Sequence, residues 1–399
     1  MHPSSVVVLL FSVATATAFV VRSIRFPYTV ALVLVGLAIG AFHVVEAPHL
    51  TKELLFAVIL PGLLFEASFN IDAKEFWASR LTVGSLAVPG VVAAIAITAV
   101  LVSAMMAGFS LDPSFGWRYG LVFGALIAAT DPIAVTALFA QMKVGHRLSA
   151  LVEGESLLND GTSVVLFTLI LAFVSGATST VAAFVWQFVY IVGGGVLAGA
   201  LIGSLAVQVT KRIDDPSLEI ALTVIAAYGS FALAEEIGCS GVIATVTAGL
   251  LAGTYGWDRG MSEATRAAVT TFWDYIAFAL NSVVFLLIGF EVQLGALAAW
   301  APVIGVAYLA TLIGRFAVVL GVTTMLSRTR ERIPFSWVAV LTWGGLRGAL
   351  SMVLALALPA ELPHRTQLIA MTYGVVLLSL VLQGISMPWM LRRLGLGGS

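Results

Sequence analysis

Seven ionisable side chains sit in stretches otherwise too apolar for charge: Glu66, Asp131, Glu153, Glu155, Asp160, Arg315 and Arg347. Two clusters carry the chemistry. One is Ala128-Ala129-Thr130-Asp131-Pro132, where proline removes a helix hydrogen bond and pushes its predecessor out of helical geometry. Thr130 and Asp131 are also suited to cap a helix that restarts there. The other is Glu153-Gly154-Glu155-Ser156-Leu157-Leu158-Asn159-Asp160-Gly161-Thr162. On a helix, Ser156 and Asp160 share one face, and Glu155 and Asn159 share the next. The first pair presents oxygen ligands of the kind that hold hard cations such as Na⁺. Glu155 needs a cationic partner, and Arg315 and Arg347 are the two buried candidates.

These residues sit in an unusually apolar chain. Of 399 positions, 60% are hydrophobic and 10% charged, against about 25% charged in soluble domains. A water-soluble fold of this size cannot hide that much apolar surface, which excludes a cytosolic enzyme, a nucleic-acid binder and a disordered chain. The net charge of −1 points to no partner, and the lone Cys239 cannot form an internal disulfide. Ala14-Thr15-Ala16 resembles a signal-peptide cleavage site, but no Lys or Arg precedes that apolar stretch while Arg22 and Arg25 follow it. That arrangement fits an uncleaved first helix.

Apolar runs fall at roughly 5–21, 27–43, 53–69, 81–108, 119–142, 148–173, 179–209, 217–236, 240–254, 268–292, 295–326, 336–358 and 366–391. The expectation is an all-α polytopic membrane protein with 13 transmembrane helices, N-terminus out and C-terminus in. The positive-inside rule supports the count. Inner segments then hold Arg22, Arg25, Lys74, Arg80, Lys143, Arg147, Lys211, Arg212, Arg259, Arg266, Arg328, Arg330, Arg332, Arg392 and Arg393. The outer side holds only Lys52, Arg118 and Arg365. No loop has the length of a soluble domain, so residues 1–399 read as a single transmembrane unit. Gly195, Gly199 and Gly203 in the seventh span form a small-residue packing stripe.

The count sets depth. Asp131 and Asp160 each lie 12 residues into antiparallel spans, about 18 Å along at 1.5 Å per residue. In a hydrocarbon core of about 30 Å the two carboxylates meet near the midplane. Unwound backbone survives there only when buried or lining a wet cavity. Glu66, in Leu60-Pro61-Gly62-Leu63-Leu64-Phe65-Glu66, could shape an inner funnel or join the ion site; Glu153 reads as a vestibule charge. Gly344-Gly345-Leu346-Arg347-Gly348 would loosen the twelfth span as Pro132 loosens the fifth, which suggests an inverted repeat with two interrupted helices.

Ala129-Thr130-Asp131-Pro132, Gly154-Glu155-Ser156-Leu157-Leu158-Asn159-Asp160-Gly161 and Gly344-Gly345-Leu346-Arg347-Gly348, in this order, resemble the NhaP-type monovalent cation:proton antiporters, relatives of the animal sodium/proton exchangers. The resemblance covers essentially all thirteen runs. It implies that Asp160 alternately holds a cation or a proton, with Asp131, Ser156 and Thr130 as helpers and Glu66 at or beside the ion. It implies that Glu155 pairs with Arg315 rather than Arg347, a choice that spacing leaves open. Asn159 stands where electrogenic relatives carry a second aspartate, which favours electroneutral one-for-one exchange. The family fold implies a homodimer, with spans 1–3 and 8–10 forming the dimerisation part and spans 4–6 and 11–13 the ion-carrying core. The expected activity is exchange of Na⁺ or Li⁺ for H⁺ in a prokaryotic plasma (inner) membrane, serving pH homeostasis and sodium transport. No cofactor, enzymatic activity or nucleic-acid partner is expected.

The chief rival is a sodium-coupled symporter of a small organic solute. An intramembrane aspartyl protease using Asp131 and Asp160 lacks its Gly-x-Gly-Asp signature, and a passive channel would conduct without proton coupling. Among the five histidines, His146 in an inner loop is the one placed to sense pH.

Overall fold

The computed structural model describes residues 3–24, 26–42, 52–176, 180–256, 261–292 and 294–397. Arg25, Arg259, Gly398 and Ser399 lie outside them. The described residues fold into helices without strands: α1 (Pro3–Ile24), α2 (Tyr28–Ala41), α3 (Leu55–Asn70), α4 (Arg80–Gly108), α5 (Trp117–Leu126), α6 (Ile133–Gln141), α7 (His146–Val174), α8 (Val181–Thr210), α9 (Pro216–Glu236), α10 (Gly241–Gly256), α11 (Glu263–Glu291), α12 (Ala301–Arg328), α13 (Phe335–Trp343), α14 (Ala349–Leu356) and α15 (Arg365–Arg393). Seven of them, α4, α7, α8, α9, α11, α12 and α15, are long and apolar enough to cross a membrane, and α2, α3, α10 and Val8–Val21 of α1 are shorter apolar helices. The molecule is an all-helical membrane protein.

In two helix pairs neither member is long enough to span a membrane alone. α5 stops at Leu126 and α6 starts at Ile133; α13 stops at Trp343 and α14 starts at Ala349. Proline causes the first gap, since Pro132 cannot donate to the preceding turn. Glycine and a buried guanidinium, described below, account for the second.

Packing groups the helices. α3 lies against α9, α10 and α11, and α2 against α11. Phe65, Phe69, Ala226, Ala248 and Trp273 form the apolar centre of this group, with the Trp273 indole donating to Thr223 Oγ1 at 2.9 Å. The glycine stripe of α8 does what small residues do without a hydrophobic drive between helices. A β-carbon on Gly195 would stand 2.7 Å from Ser240 O, and one on Gly203 2.9 Å from Ala248 Cα. α8 turns its opposite side outward: only 22% of its most apolar window is buried, and Val181, Trp186 and Leu197 stand open. A second group joins α4 to α5 and α12, and α12 to α13 and α15, with α7 against α5.

Candidate ion site

The two helix gaps cross, and their backbones pair. The Asp131 amide donates to Leu346 O at 2.8 Å. Each interrupted helix leaves carbonyls without intrahelical partners and a negative dipole end, which a buried cation can satisfy. The Arg347 Nη1 donates to Ala128 O at 2.8 Å and Ala129 O at 3.2 Å, and also contacts Ile127 O. It thereby closes the carbonyl end of α5. Arg315 does the same for α13, its Nε and Nη2 each reaching Leu341 O at 3.2 Å. The two arginines have parallel jobs on the two gaps.

Arg315 has a second task. Its Nη1 and Nη2 meet Glu155 Oε1 and Oε2 at 2.8 and 2.7 Å, a bidentate pair. Both residues are buried, at 7% and 1% exposure, so neither charge could stand without the other. Arg347 forms no ion pair with Glu155 among the described residues.

Positive helix ends gather around Asp131. Its Oδ1 accepts from the Ile133 amide, the first of α6, at 3.0 Å. Its carboxyl group also lies over Gly348, the residue from which α14 starts. The carboxylate thus sits at the amino ends of two half-helices, where negative charge is stabilised.

Neighbouring oxygens come from α7. Thr130 Oγ1 and Ser156 Oγ share a hydrogen bond of 3.0 Å. Asn159 donates through Nδ2 to Ala128 O and Thr130 Oγ1, both at 3.0 Å, and its Oδ1 accepts from Ser163 Oγ at 2.7 Å. Its amide is committed to holding the unwound stretch 128–130. The expectation of an ion ligand therefore meets an Asn159 that braces the chain beside the site. Ser163, which completes this brace, was not singled out in the sequence.

Asp160 differs from these neighbours. With Thr130 and Asp131 it lines a cavity of about 670 Å³, and the Thr130 amide faces its carboxylate. Glu66, Glu153 and Asp274 line the same cavity, as do the side chains of Leu63, Ala277 and Phe285. Asp160, Asp131, Thr130 and Glu66 are therefore brought together around one space. Ser156 stands behind Thr130, and Glu155, Arg315 and Arg347 stay in the packed interior. Asn70 and Asp274 are additions that sequence reasoning passed over. Asp274 is a carboxylate inside an apolar run, so its signal was present.

Two helix gaps cross here, with arginines on the carbonyl ends and carboxylates at a cavity, an arrangement of the kind that secondary transporters build from discontinuous helices. The family model for the sodium/hydrogen exchanger transmembrane region matches residues 7–393. The chain belongs to the sodium/hydrogen exchanger family. Members are transporters, not enzymes. The exchanger chain is 40% identical to the Na⁺/H⁺ antiporter ApNhaP of Aphanothece halophytica, over 98% of its own length and 74% of that protein's. It is 37% identical to the Na⁺/H⁺ antiporter NhaP of Pseudomonas aeruginosa, over 87% and 82% of the two lengths. Its fold is similar to that of the sodium proton antiporter MjNhaP1 from Methanocaldococcus jannaschii, with a TM-score of 0.76, 19% identity and 97% of each chain covered.

Proposed function

We propose that this protein is a secondary antiporter that exchanges Na⁺, or Li⁺, for H⁺ by competition at Asp160, one for one and without net charge movement. The observation that carries the reading is the placement of Asp160. It lines the cavity beside the helix crossing, while the nearby cationic side chains, Arg315 and Arg347, are engaged with Glu155 and with helix-end carbonyls. Its charge is left for a mobile partner. Asp131, Thr130 and Glu66 supply further oxygens, Ser156 acts through its hydrogen bond to Thr130 Oγ1, and Na⁺ is the transported substrate.

Coupling follows from electrostatics. A bare carboxylate is costly to carry through a low-dielectric barrier, so the site crosses only when a cation or a proton neutralises it. Alternating access then needs no second ion site. Asn159, neutral and engaged with backbone, supports electroneutrality.

In this reading the seven long helices, the four shorter apolar ones and the two interrupted pairs make thirteen spans, with the N-terminus outside. Spans 1–3 and 8–10 form the dimerisation part of a homodimer, and spans 4–6 and 11–13 the moving core. In the same reading it works in the plasma membrane of a prokaryote, serving pH homeostasis and sodium transport. Those relatives are antiporters, and no finding favours the symporter alternative.

The test uses proteoliposomes holding a pH dye and an outward proton gradient. Addition of Na⁺, Li⁺ or K⁺ should restore internal pH with at least one of them, whether or not the membrane potential is clamped. Asp160→Asn should abolish the recovery while leaving the folded yield unchanged. Exchange that persists in Asp160→Asn, or recovery that speeds up when the potential is clamped, would refute the mechanism.

A further inference from the structure

The chain turns between α12, which ends at Arg328, and α13, which begins at Phe335. Three arginines, Arg328, Arg330 and Arg332, and one acid, Glu331, lie on this turn. Burial alternates along it: Arg330, Arg332 and Pro334 are exposed, while Glu331 and Ile333 are buried. The acid is engaged away from the arginines. Glu331 Oε2 accepts from the Thr82 amide at 2.9 Å and the Thr82 hydroxyl at 3.3 Å, in the first turn of α4. A carboxylate there satisfies an amide left over at a positive helix end. On the other side, Arg147 in the first turn of α7 donates through Nη2 to Arg332 O at 3.3 Å. Its guanidinium also lies over the Trp337 ring of α13, 5.4 Å from the centroid.

Fastened to α4 and α7, the turn presents its arginines outward. Arg328, Arg330 and Arg332 are all exposed, and among the described residues none of them pairs with a carboxylate. Like charges this close repel, and an external anion relieves the repulsion. Met325 and Phe335, on the two flanks, are exposed apolar side chains. They close α12 and open α13, so they face acyl chains and put the arginines at headgroup level. A turn that served charge topology alone would need the arginines, but neither the inward acid nor the two fastenings.

We propose that Arg328, Arg330 and Arg332 form a docking surface for the phosphate groups of anionic phospholipids. Guanidinium forks grip phosphate oxygens in pairs, and a headgroup that keeps its negative charge is favoured over a zwitterionic one. Because Glu331 and Arg147 tie the turn to α4 and α7, a lipid bound there clamps the ends of four helices of the group that carries the crossing. The inference draws on no feature of the exchange mechanism, and exchange activity plays no part in its test.

The test is thermal stability of the detergent-purified protein, titrated with phosphatidylglycerol or with phosphatidylcholine of the same acyl chains. Phosphatidylglycerol should raise the melting temperature saturably, because it binds the folded state, and phosphatidylcholine should not. The combined variant Arg328→Gln, Arg330→Gln, Arg332→Gln should raise the phosphatidylglycerol midpoint at least about tenfold, since each basic residue near anionic lipid is worth roughly fivefold. Arg330→Gln alone should raise it about three- to fivefold, which decides the matter if the triple variant does not fold. Lysine at all three positions keeps the charge and should recover most of the affinity. Arg392→Gln with Arg393→Gln, at the end of α15, should leave the midpoint within about twofold of wild type. An unchanged midpoint in the arginine-to-glutamine variants, or an equal loss in the α15 control, would overturn the proposal. So would equal stabilisation by phosphatidylcholine. Inorganic phosphate that reproduces the whole effect would make the surface a free-anion site and refute lipid docking.

Discussion

Asp131 rests on Gly348: a β-carbon added to that glycine would stand 2.7 Å from the Asp131 β-carbon and 3.0 Å from its carboxyl carbon. Real β-carbons essentially never approach a side chain this closely, so the glycine is what lets the carboxylate reach the start of α14. Gly348→Ala should therefore displace Asp131 and lower Na⁺-driven proton flux by at least about tenfold, the scale of an ångström-level misplacement. Folded yield should change little, because the cavity leaves room for the displaced side chain. Flux equal to wild type would show that the position of Asp131 is not needed for exchange.

The bidentate Glu155–Arg315 pair is a stability element, and Arg315 also closes α13 through Leu341 O. Removing one partner leaves a buried charge alone, which costs about 3–5 kcal/mol. Glu155→Ala and Arg315→Ala should cut the amount of monodisperse protein and lower its melting temperature. Arg315→Ala should be the worse of the two because it also strips the helix end. Arg315→Lys should rescue only in part, since a point charge cannot grip carboxylate and carbonyl together. Fluorescence-detected size exclusion with thermal challenge ranks the variants. Full stability in Arg315→Ala would remove the structural assignment.

Apolar runs, their punctuation and the Pro132 break were legible because membrane length and the missing proline donor are local rules. Depth alone placed Asp131 and Asp160 near each other, while spacing left Glu66 open between an inner funnel and the ion site. What sequence spacing left open is non-local. Arg315 and Arg347 could not be told apart because each answers a helix end that exists only once α5 and α13 have stopped and crossed. Asn159 belongs to the ion-site motif, yet its amide nitrogen donates to Ala128 O and Thr130 Oγ1, which only the unwound stretch brings to it, and its oxygen accepts from Ser163 Oγ. Asn70 joins Glu66 on its own helix to Asp274, 204 residues away, a contact no spacing rule reaches. Among the described histidines, His364 is the one that meets a carboxylate from a distant loop, Asp112 at 3.2 Å, a pairing the sequence does not signal.

That Asp112–His364 contact ties the loop before α5 to the turn before α15, where His364 adopts a left-handed φ of 59°. Burial pushes the Asp112 carboxyl up. The Ser114 hydroxyl at 2.5 Å, the Ser114 amide at 3.0 Å and the His364 imidazole outweigh it and hold the group below the usual carboxylate range. A depressed folded-state pKa adds stability above the unfolded value of about 3.9, and that stability disappears as pH falls through the folded value. Asp112→Asn should accordingly melt below wild type at neutral pH, with the gap closing below about pH 4. A gap that is constant across pH 3–7, in this roughly estimated window, would show that the carboxylate charge is irrelevant to the loop.

Asn159 offers the sharpest separation of bracing from ion binding. Its Nδ2 donates to Ala128 O and Thr130 Oγ1, and its Oδ1 accepts from Ser163. Asn159→Asp keeps the acceptor and removes both amide donors, so an ionised carboxylate would face Ala128 O. Leaving such buried groups unmatched costs about 1–3 kcal/mol or more. The variant should be less stable than wild type, increasingly so at alkaline pH, where a protonated acid can no longer donate in place of the amide. Its exchange should remain electroneutral, because the new carboxylate points at backbone rather than into the cavity. Solid-supported-membrane currents decide the matter. A Na⁺-evoked steady charge movement in Asn159→Asp, absent from wild type, would mean that position 159 reaches the transported ion and that the brace is not its whole role.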